Sequence, residues 1–236
     1  MSTGTLYLIP APLGKQRQNL SLPDHTLQVA RGLKQFVVEN IRTTQGFLQW
    51  INHPLKPHEV EFRVLNKKTP EHEIFGFLKL LEEGDVGLMS EAGAPAVADP
   101  GAQLVRMAHD RGFRVVPLTG PSSILLALMA SGLNGQQFAF HGYLPVDPGK
   151  RKEKIRELEK ESAARRQTQI IMETPHRNRQ MLESLVKSCR PETKLCVAAN
   201  LTMPDEMIRT QTIDKWSKAL EDGPGGRPAL FLILAG

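Results

Sequence analysis

Val86-Gly87-Leu88-Met89 runs directly into Ser90-Glu91-Ala92-Gly93-Ala94-Pro95-Ala96-Val97-Ala98-Asp99-Pro100-Gly101: a short apolar stretch, then a loop of small residues, glycines and prolines. An apolar run of strand length bounded by turn residues reads as a buried strand. Outward from it, the same signature recurs at Thr5 to Pro10, Phe36 to Glu39, Val60 to Leu65 and Phe113 to Leu118. Ahead of Val86, Glu71 to Glu82 places Ile74, Phe75, Leu78 and Leu81 at three- and four-residue spacings, which predicts one buried face of a helix. Strands alternating with helices predict an α/β fold with a largely parallel sheet.

The alternation continues in the second half. Helices are expected at about Ser122 to Ala130, Pro148 to Ala163, His176 to Ser188 and Asp214 to Leu220, with strands at Gln137 to His141, Thr168 to Met172, Lys194 to Ala199 and Ala229 to Leu234. Gly120-Pro121 interrupts two apolar runs. A lobe boundary is therefore expected at Thr119, with residues 1–118 as an N-terminal α/β lobe and 119–236 as a C-terminal one.

The chain has 236 residues, 40% hydrophobic and 23% charged, enough to bury a core without disulfides or metals. Its two cysteines, Cys189 and Cys196, have no third cysteine with which to build a metal set, and read as buried thiols. No apolar run approaches the ~20 residues that span a bilayer, and no basic, signal-like stretch follows Met1, so no membrane partner and a cytoplasmic location are expected. A net charge of +5 permits an anionic partner such as RNA.

Ligands of parallel α/β sheets sit beyond the carboxyl ends of strands. Three loops there are unusual: Pro10-Ala11-Pro12-Leu13-Gly14, the Ser90 to Gly101 segment, and Thr119-Gly120-Pro121-Ser122-Ser123. Taken singly, each is an ordinary turn, and Ser122 or Ser123 can simply cap a helix. Their joint placement after strands favours a ligand crevice. The chain carries no G-x-G-x-x-G after a strand, no phosphate-binding G-x-x-x-x-G-K-[ST], no H-E-x-x-H and no nucleophile elbow, which argues against dinucleotide, nucleotide-triphosphate, zinc-protease and serine-hydrolase chemistry.

Those three loops, together with Leu6-Tyr7-Leu8-Ile9, Asp99-Pro100-Gly101, Gly142-Tyr143-Leu144-Pro145 and Glu173-Thr174-Pro175-His176-Arg177, resemble in order and spacing the tetrapyrrole methylase superfamily, and within it the branch of small-subunit ribosomal RNA cytidine 2′-O-methyltransferases. The resemblance implies two α/β lobes with S-adenosylmethionine in the cleft between them, commonly in a homodimer. Carried over by position, Pro12, Gly14, Ser90, Glu91, Gly93 and Val97 from the first lobe, and Ser122, Ser123, Tyr143, Met172 and Glu173 from the second, would line that cofactor. No metal is implied.

The chain departs from the branch at the acceptor side. Glu39-Asn40-Ile41-Arg42 stands where the RNA enzymes carry Glu-Asp-Thr-Arg, Leu65-Asn66-Lys67-Lys68-Thr69-Pro70 replaces a stretch containing His-Asn-Glu, and Ser90-Glu91-Ala92-Gly93-Ala94-Pro95 replaces Ser-Asp-Ala-Gly-Thr-Pro. It looks like a paralogous group. Glu39, at the end of a strand, is the candidate base for a hydroxyl acceptor, and Arg42 the candidate that orients a phosphate or carboxylate. Each has a bland alternative: Glu39 as an exposed loop carboxylate, Arg42 as the start of a solvated helix.

Glu173 and Arg177 read either as ribose and RNA contacts or as an i,i+4 ion pair. Lys150, Arg151, Lys152, Lys154 and Arg156, with Arg165 and Arg166, form a basic block suited to an RNA backbone, diluted by Glu153, Glu157, Glu159 and Glu161. His141 reads as a packed strand-end residue. The expected function is methyl transfer from S-adenosylmethionine to ribosomal RNA; the alternatives are a small anionic acceptor such as a tetrapyrrole, or a binding module that keeps the cofactor but not the catalysis.

Overall fold

The computed structural model describes residues 4–14 and 21–236. Two compact units divide between Ser122 and Ser123. In the first, β1 (Thr5–Ile9), β2 (Gln35–Val38), β3 (Glu61–Val64), β4 (Val86–Met89) and β5 (Arg114–Pro117) form one sheet in the order β3-β2-β4-β1-β5, every pairing parallel. Helices α1 (Asp24–Gly32), α2 (Ile41–Trp50), α3 (Glu71–Glu83) and α4 (Ala102–Asp110) make the crossovers.

Alternation along each strand sorts the apolar residues to two faces. Ile9, Phe36, Val38 and Met89 pack with Leu27 and Ala30 of α1 and Phe47 and Leu48 of α2. Leu6, Val37, Val86 and Leu88 pack with Leu78 and Leu81 of α3 and Leu104 and Ala108 of α4. Phe75 departs from the expected buried face: Ile74, Phe77, Leu78 and Leu81 fill the core, and Phe75 lies outside it beneath the Arg111 guanidinium at 4.7 Å.

This arrangement fixes where a ligand crevice opens. Neighbouring strands β1 and β4 send their outgoing helices to opposite faces, α1 to one and α4 to the other, and so do β2 and β4. The carboxyl ends of these strands therefore mark the topological switch point, the place at which open α/β sheets bind ligands.

The second unit is organised differently. Its strands β6 (Phe138–Tyr143), β7 (Thr168–Glu173), β8 (Lys194–Ala199), β9 (Met207–Thr212) and β10 (Ala229–Leu234) lie in the order β6-β7-β10-β8-β9. Only β6 and β7 pair parallel; the other three pairings are antiparallel. The expectation of largely parallel sheets thus holds in the first unit and gives way to a mixed sheet in the second. The connection from β8 to β9 is too short for the crossover of a dozen or more residues that parallel neighbours require, so the two strands form a hairpin.

Helix α5 (Ser123–Ser131) lies against β8, β9 and β10. Helices α6 (Pro148–Arg165), α7 (Asn178–Ser188) and α8 (Ile213–Ser217) complete the unit. Ile155, Leu158, Met181 and Leu185 pack with Phe231, Ile233 and the fully buried Trp216, whose Nε1 donates to Leu195 O at 2.9 Å. Both cysteines are buried free thiols, and burial raises them, Cys189 to about 12. No helix among the described residues is long and apolar enough to cross a membrane.

Candidate functional site

Three loops of the first unit lock to one another at the switch point. Ala11 N donates to Gly93 O at 2.9 Å and Gly93 N returns to Ala11 O at 3.0 Å, an isolated antiparallel bridge joining the segment after β1 to the segment after β4. Gly93 holds φ +73, a left-handed conformation that costs glycine little and other residues much. Gly120, after β5, packs so tightly on Pro10 that an added Cβ would stand 2.7 Å from Pro10 Cγ and 2.8 Å from Leu22 Cδ2. The buried hydroxyl of Thr26 on α1 donates to Thr119 O at 2.8 Å, pinning the same loop from below.

The loop after β4 is strained. Ala96 and Ala98, on either side of the exposed Val97, both take positive φ, +65 and +64. Non-glycine residues persist in that region only where surroundings over-determine them, and such positions gather at ligand clamps. At its start, the Ser90 hydroxyl is buried and lies beside the Asp99 carboxylate, whose charged form it favours. Glu91, next to it, is exposed and accepts a hydrogen bond from Thr43 Oγ1 at 3.2 Å, which ties this loop to α2.

Carboxylates gather here. Asp99, half-buried, has its pKa pushed up to about 6, first by burial and then by the charge of Glu39 and, more weakly, of Glu91. The nearby Ser90 hydroxyl and Lys67 pull it down without reversing the rise. Asp99 and Lys67 are the residues sequence reasoning passed over; the Asp99-Pro100-Gly101 motif was the available signal for the first. Lys67, in the segment that lacks the His-Asn-Glu match, sets a positive charge among these acids.

A stability effect follows. The folded state holds the Asp99 proton more tightly than the unfolded chain does, so this group's contribution is complete below about pH 4 and is lost as pH rises towards 6. Asp99→Asn should match the wild type in denaturant titrations at pH 4 and exceed it by about 1 kcal/mol at pH 7.5, after allowance for solvent screening of a half-exposed group. Equal stabilities at both pH values would contradict the raised pKa.

Asn40, where the RNA enzymes carry aspartate, caps α2: its Oδ1 accepts from Arg42 N at 3.0 Å and Thr43 N at 3.3 Å. The substitution preserves the cap and removes a charge. Glu39 is half-buried directly before it, and Arg42 is exposed in the first turn of α2. Pro12 and Gly14 are half-buried in the segment beyond β1.

In the second unit, Tyr143 is half-exposed at the end of β6, beyond a register shift after Phe140, and pairs in register with the half-buried Met172 of β7. Ser122 closes the first unit and Ser123 opens α5 in the second. Glu173 closes β7 as a buried acid. Its side chain is 1% exposed, its Oε2 lies 3.0 Å from Arg177 Nη2, and its Oε1 accepts from Thr174 N at 2.8 Å and Thr174 Oγ1 at 3.2 Å. Arg177, 16% exposed, also donates to Leu144 O at 3.3 Å. The i,i+4 ion pair is thus formed within the second unit.

The basic block also shrinks. Arg151 is buried, donating to Ser184 Oγ and Val146 O, both at 3.0 Å, and Glu159 is buried, accepting from Arg190 N and Thr193 Oγ1. Neither belongs to a solvated face. His141 is a packed residue, its Nε2 2.6 Å from Gln169 Oε1. Among the described residues no group of His, Cys, Asp and Glu is arranged to hold a metal.

The sequence model of the family described as Tetrapyrrole (Corrin/Porphyrin) Methylases matches residues 26–216. The chain is 33% identical over 205 residues to a Vibrio cholerae protein named Ribosomal RNA small subunit methyltransferase I, covering 86% of this chain and 67% of that one. Proteins of the same name from Neisseria meningitidis serogroup B (31% over 236 residues, 98% and 76% covered) and Bacillus subtilis (33% over 212 residues, 87% and 67% covered) are similar to it as well.

Proposed function

Since the chain belongs to the tetrapyrrole methylase family and is a methyltransferase, we propose that it transfers a methyl group from S-adenosylmethionine to a hydroxyl of small-subunit ribosomal RNA. The observation that carries this is the loop cluster at the switch point, where the bridged Ala11 and Gly93, the strained Ala96 and Ala98 and the buried Ser90 beside Asp99 converge. Two non-glycine residues held at positive φ cost roughly 1–3 kcal/mol each, strain of the kind retained at ligand clamps. The residues present therefore fit such a cofactor.

Pro12, Gly14, Ser90, Glu91, Gly93, Val97 and Ser122 of the first unit, and Ser123, Tyr143 and Met172 of the second, are the residues proposed to hold it. When bound, S-adenosylmethionine supplies an electrophilic sulfonium methyl, so the protein has chiefly to align the acceptor and exclude water. Ser90 offers a hydroxyl beside Asp99, and Glu91, steadied by Thr43, presents a negative charge to a cation or to ribose hydroxyls. Glu39 takes the proton of the acceptor hydroxyl, and Arg42 orients a phosphate beside it. The charge of Glu39 helps to raise the Asp99 pKa, which sets the two carboxylates within one electrostatic neighbourhood.

The relatives' names favour ribosomal RNA over a small anionic acceptor. Asn40 caps α2 as an aspartate would, so the exchange leaves the helix that carries Arg42 intact, in keeping with a working enzyme. A cytoplasmic homodimer belongs to the same proposal.

Labelled cofactor and small ribosomal subunits from a strain lacking the gene should give label in RNA. Absence of label at every assembly stage rejects the proposal. Glu39→Gln should lower kcat by roughly 10²–10⁴-fold with cofactor affinity retained, as loss of a general base does. It should also lower the Asp99 pKa, because the Glu39 charge helps to raise it. Unchanged kcat in that variant removes Glu39 from the mechanism.

A further inference from the structure

Within the first unit, α2 and the segment returning from it to β3 enclose a groove of about 700 Å³. Arg42, Gln45 and Gln49 line it from one stripe of α2, and Asn52 continues the stripe just past the helix with φ +55. Among the described residues, the guanidinium and the three amide groups have no partner within the protein. His53 also lines the groove, but its Nε2 lies 2.9 Å from Leu33 O and its Nδ1 accepts from Leu55 N at 3.2 Å, so it serves as wall. None of the lining residues is acidic, and Leu55, Pro57 and Val60 supply an apolar side.

The chemistry of this lining is specific. A primary amide both donates and accepts, the property needed to pair with a base edge, and asparagine and glutamine read bases in this way. An unpaired guanidinium binds phosphate. A flat apolar wall accepts the face of an unstacked base, and sequence-specific RNA recognition targets bases splayed out of helices. The volume falls within the roughly 300–1,000 Å³ of small-ligand sites.

We propose that this groove binds an unpaired RNA nucleotide adjacent to the one that is methylated: its phosphate on Arg42, its base edge on Gln45, Gln49 and Asn52. The inference rests on the RNA reading above and adds a second subsite to it. Arg42 stands three residues after Glu39, so the groove begins beside the proposed acceptor position and runs along α2 away from it. Specificity for the flanking sequence then resides in α2.

Gly46 makes the test clean. A Cβ at Gly46 meets nothing within 4 Å, so a large side chain there fills the groove without entering the core. Gly76 in α3 is equally open and lies outside the groove, which makes Gly76→Trp the control. Fluorescence anisotropy with a short labelled single-stranded RNA should show at least a tenfold loss of affinity in Gly46→Trp and none in Gly76→Trp, with S-adenosylmethionine binding unchanged in both. Arg42→Ala should reduce the salt dependence by about one phosphate contact.

Equal RNA affinity in Gly46→Trp and wild type overturns the groove, as does failure of the wild type to bind RNA. Transfer to ribosomal subunits is measured in parallel. RNA binding that is sensitive to Gly46→Trp, with no transfer by the wild type, supports the groove and overturns the methylation proposal alone.

Discussion

Replacing Gly120 with alanine is expected to destabilise the protein by about 3 kcal/mol and to weaken cofactor binding more than tenfold. The added methyl would sit under 3 Å from Pro10 Cγ and Leu22 Cδ2, and closer still to Pro10 Cβ. A proline ring cannot swing aside as the end of a long side chain can. Relief must come from backbone movement, and overpacking of this kind costs roughly 1–3 kcal/mol or more. The loop cannot retreat, because Thr26 holds Thr119 O and Leu118 N is bonded to Leu8 O. The displaced partner is instead the segment after β1, which carries the Ala11 to Gly93 bridge. Gly135→Ala, where an added Cβ meets nothing, should stay within about 0.5 kcal/mol of wild type. Identical denaturation midpoints for the two variants would show that the loops are not locked as described.

The second large effect is expected at the Glu173 and Arg177 pair. Arg177→Met leaves a carboxylate that is 1% exposed without its cation, and removing one member of a buried pair costs roughly 3–5 kcal/mol. Combining it with Glu173→Gln should restore most of that loss, since the amide oxygen still accepts from Thr174 and no charge remains buried. A double-mutant cycle in denaturant measures the coupling. Calorimetric titration of the double variant with S-adenosylmethionine separates the two roles: affinity near wild type is expected, and a tenfold loss would return Glu173 to the cofactor.

The central strands β1, β2 and β4 were legible because each carries apolar residues on both faces, and two faces must be covered when helices lie on both. Strand β9, Met207–Thr212, escaped notice because it is an edge strand with alternating polar residues, held by backbone pairing to β8. Helices α1, α2 and α4 were not delimited, since Asn40 as a cap becomes evident only from its bonds to Arg42 N and Thr43 N. In α6 the charge pattern concealed two buried residues, Arg151 and Glu159, whose partners Ser184 and Thr193 lie more than thirty residues along the chain. At the site, motif order identified the loops, but the coupling of Asp99 to Glu39 across sixty residues exists only after β2 and β4 are paired.

The place of β10 has a consequence for the order in which the protein is assembled during synthesis. All five strands of the first sheet lie before residue 118, so the switch-point loops can close while later residues are still being added. The second sheet has no such freedom. Its last-made strand, Ala229–Leu234, lies between β7 and β8, which until then present two long apolar edges to solvent and to each other. Such unpaired edges are where nascent chains misassociate. A nascent chain whose β9 has left the ribosome while β10 is still inside it would therefore expose a closed first unit tethered to an aggregation-prone hairpin, and chaperone demand should peak within that narrow window.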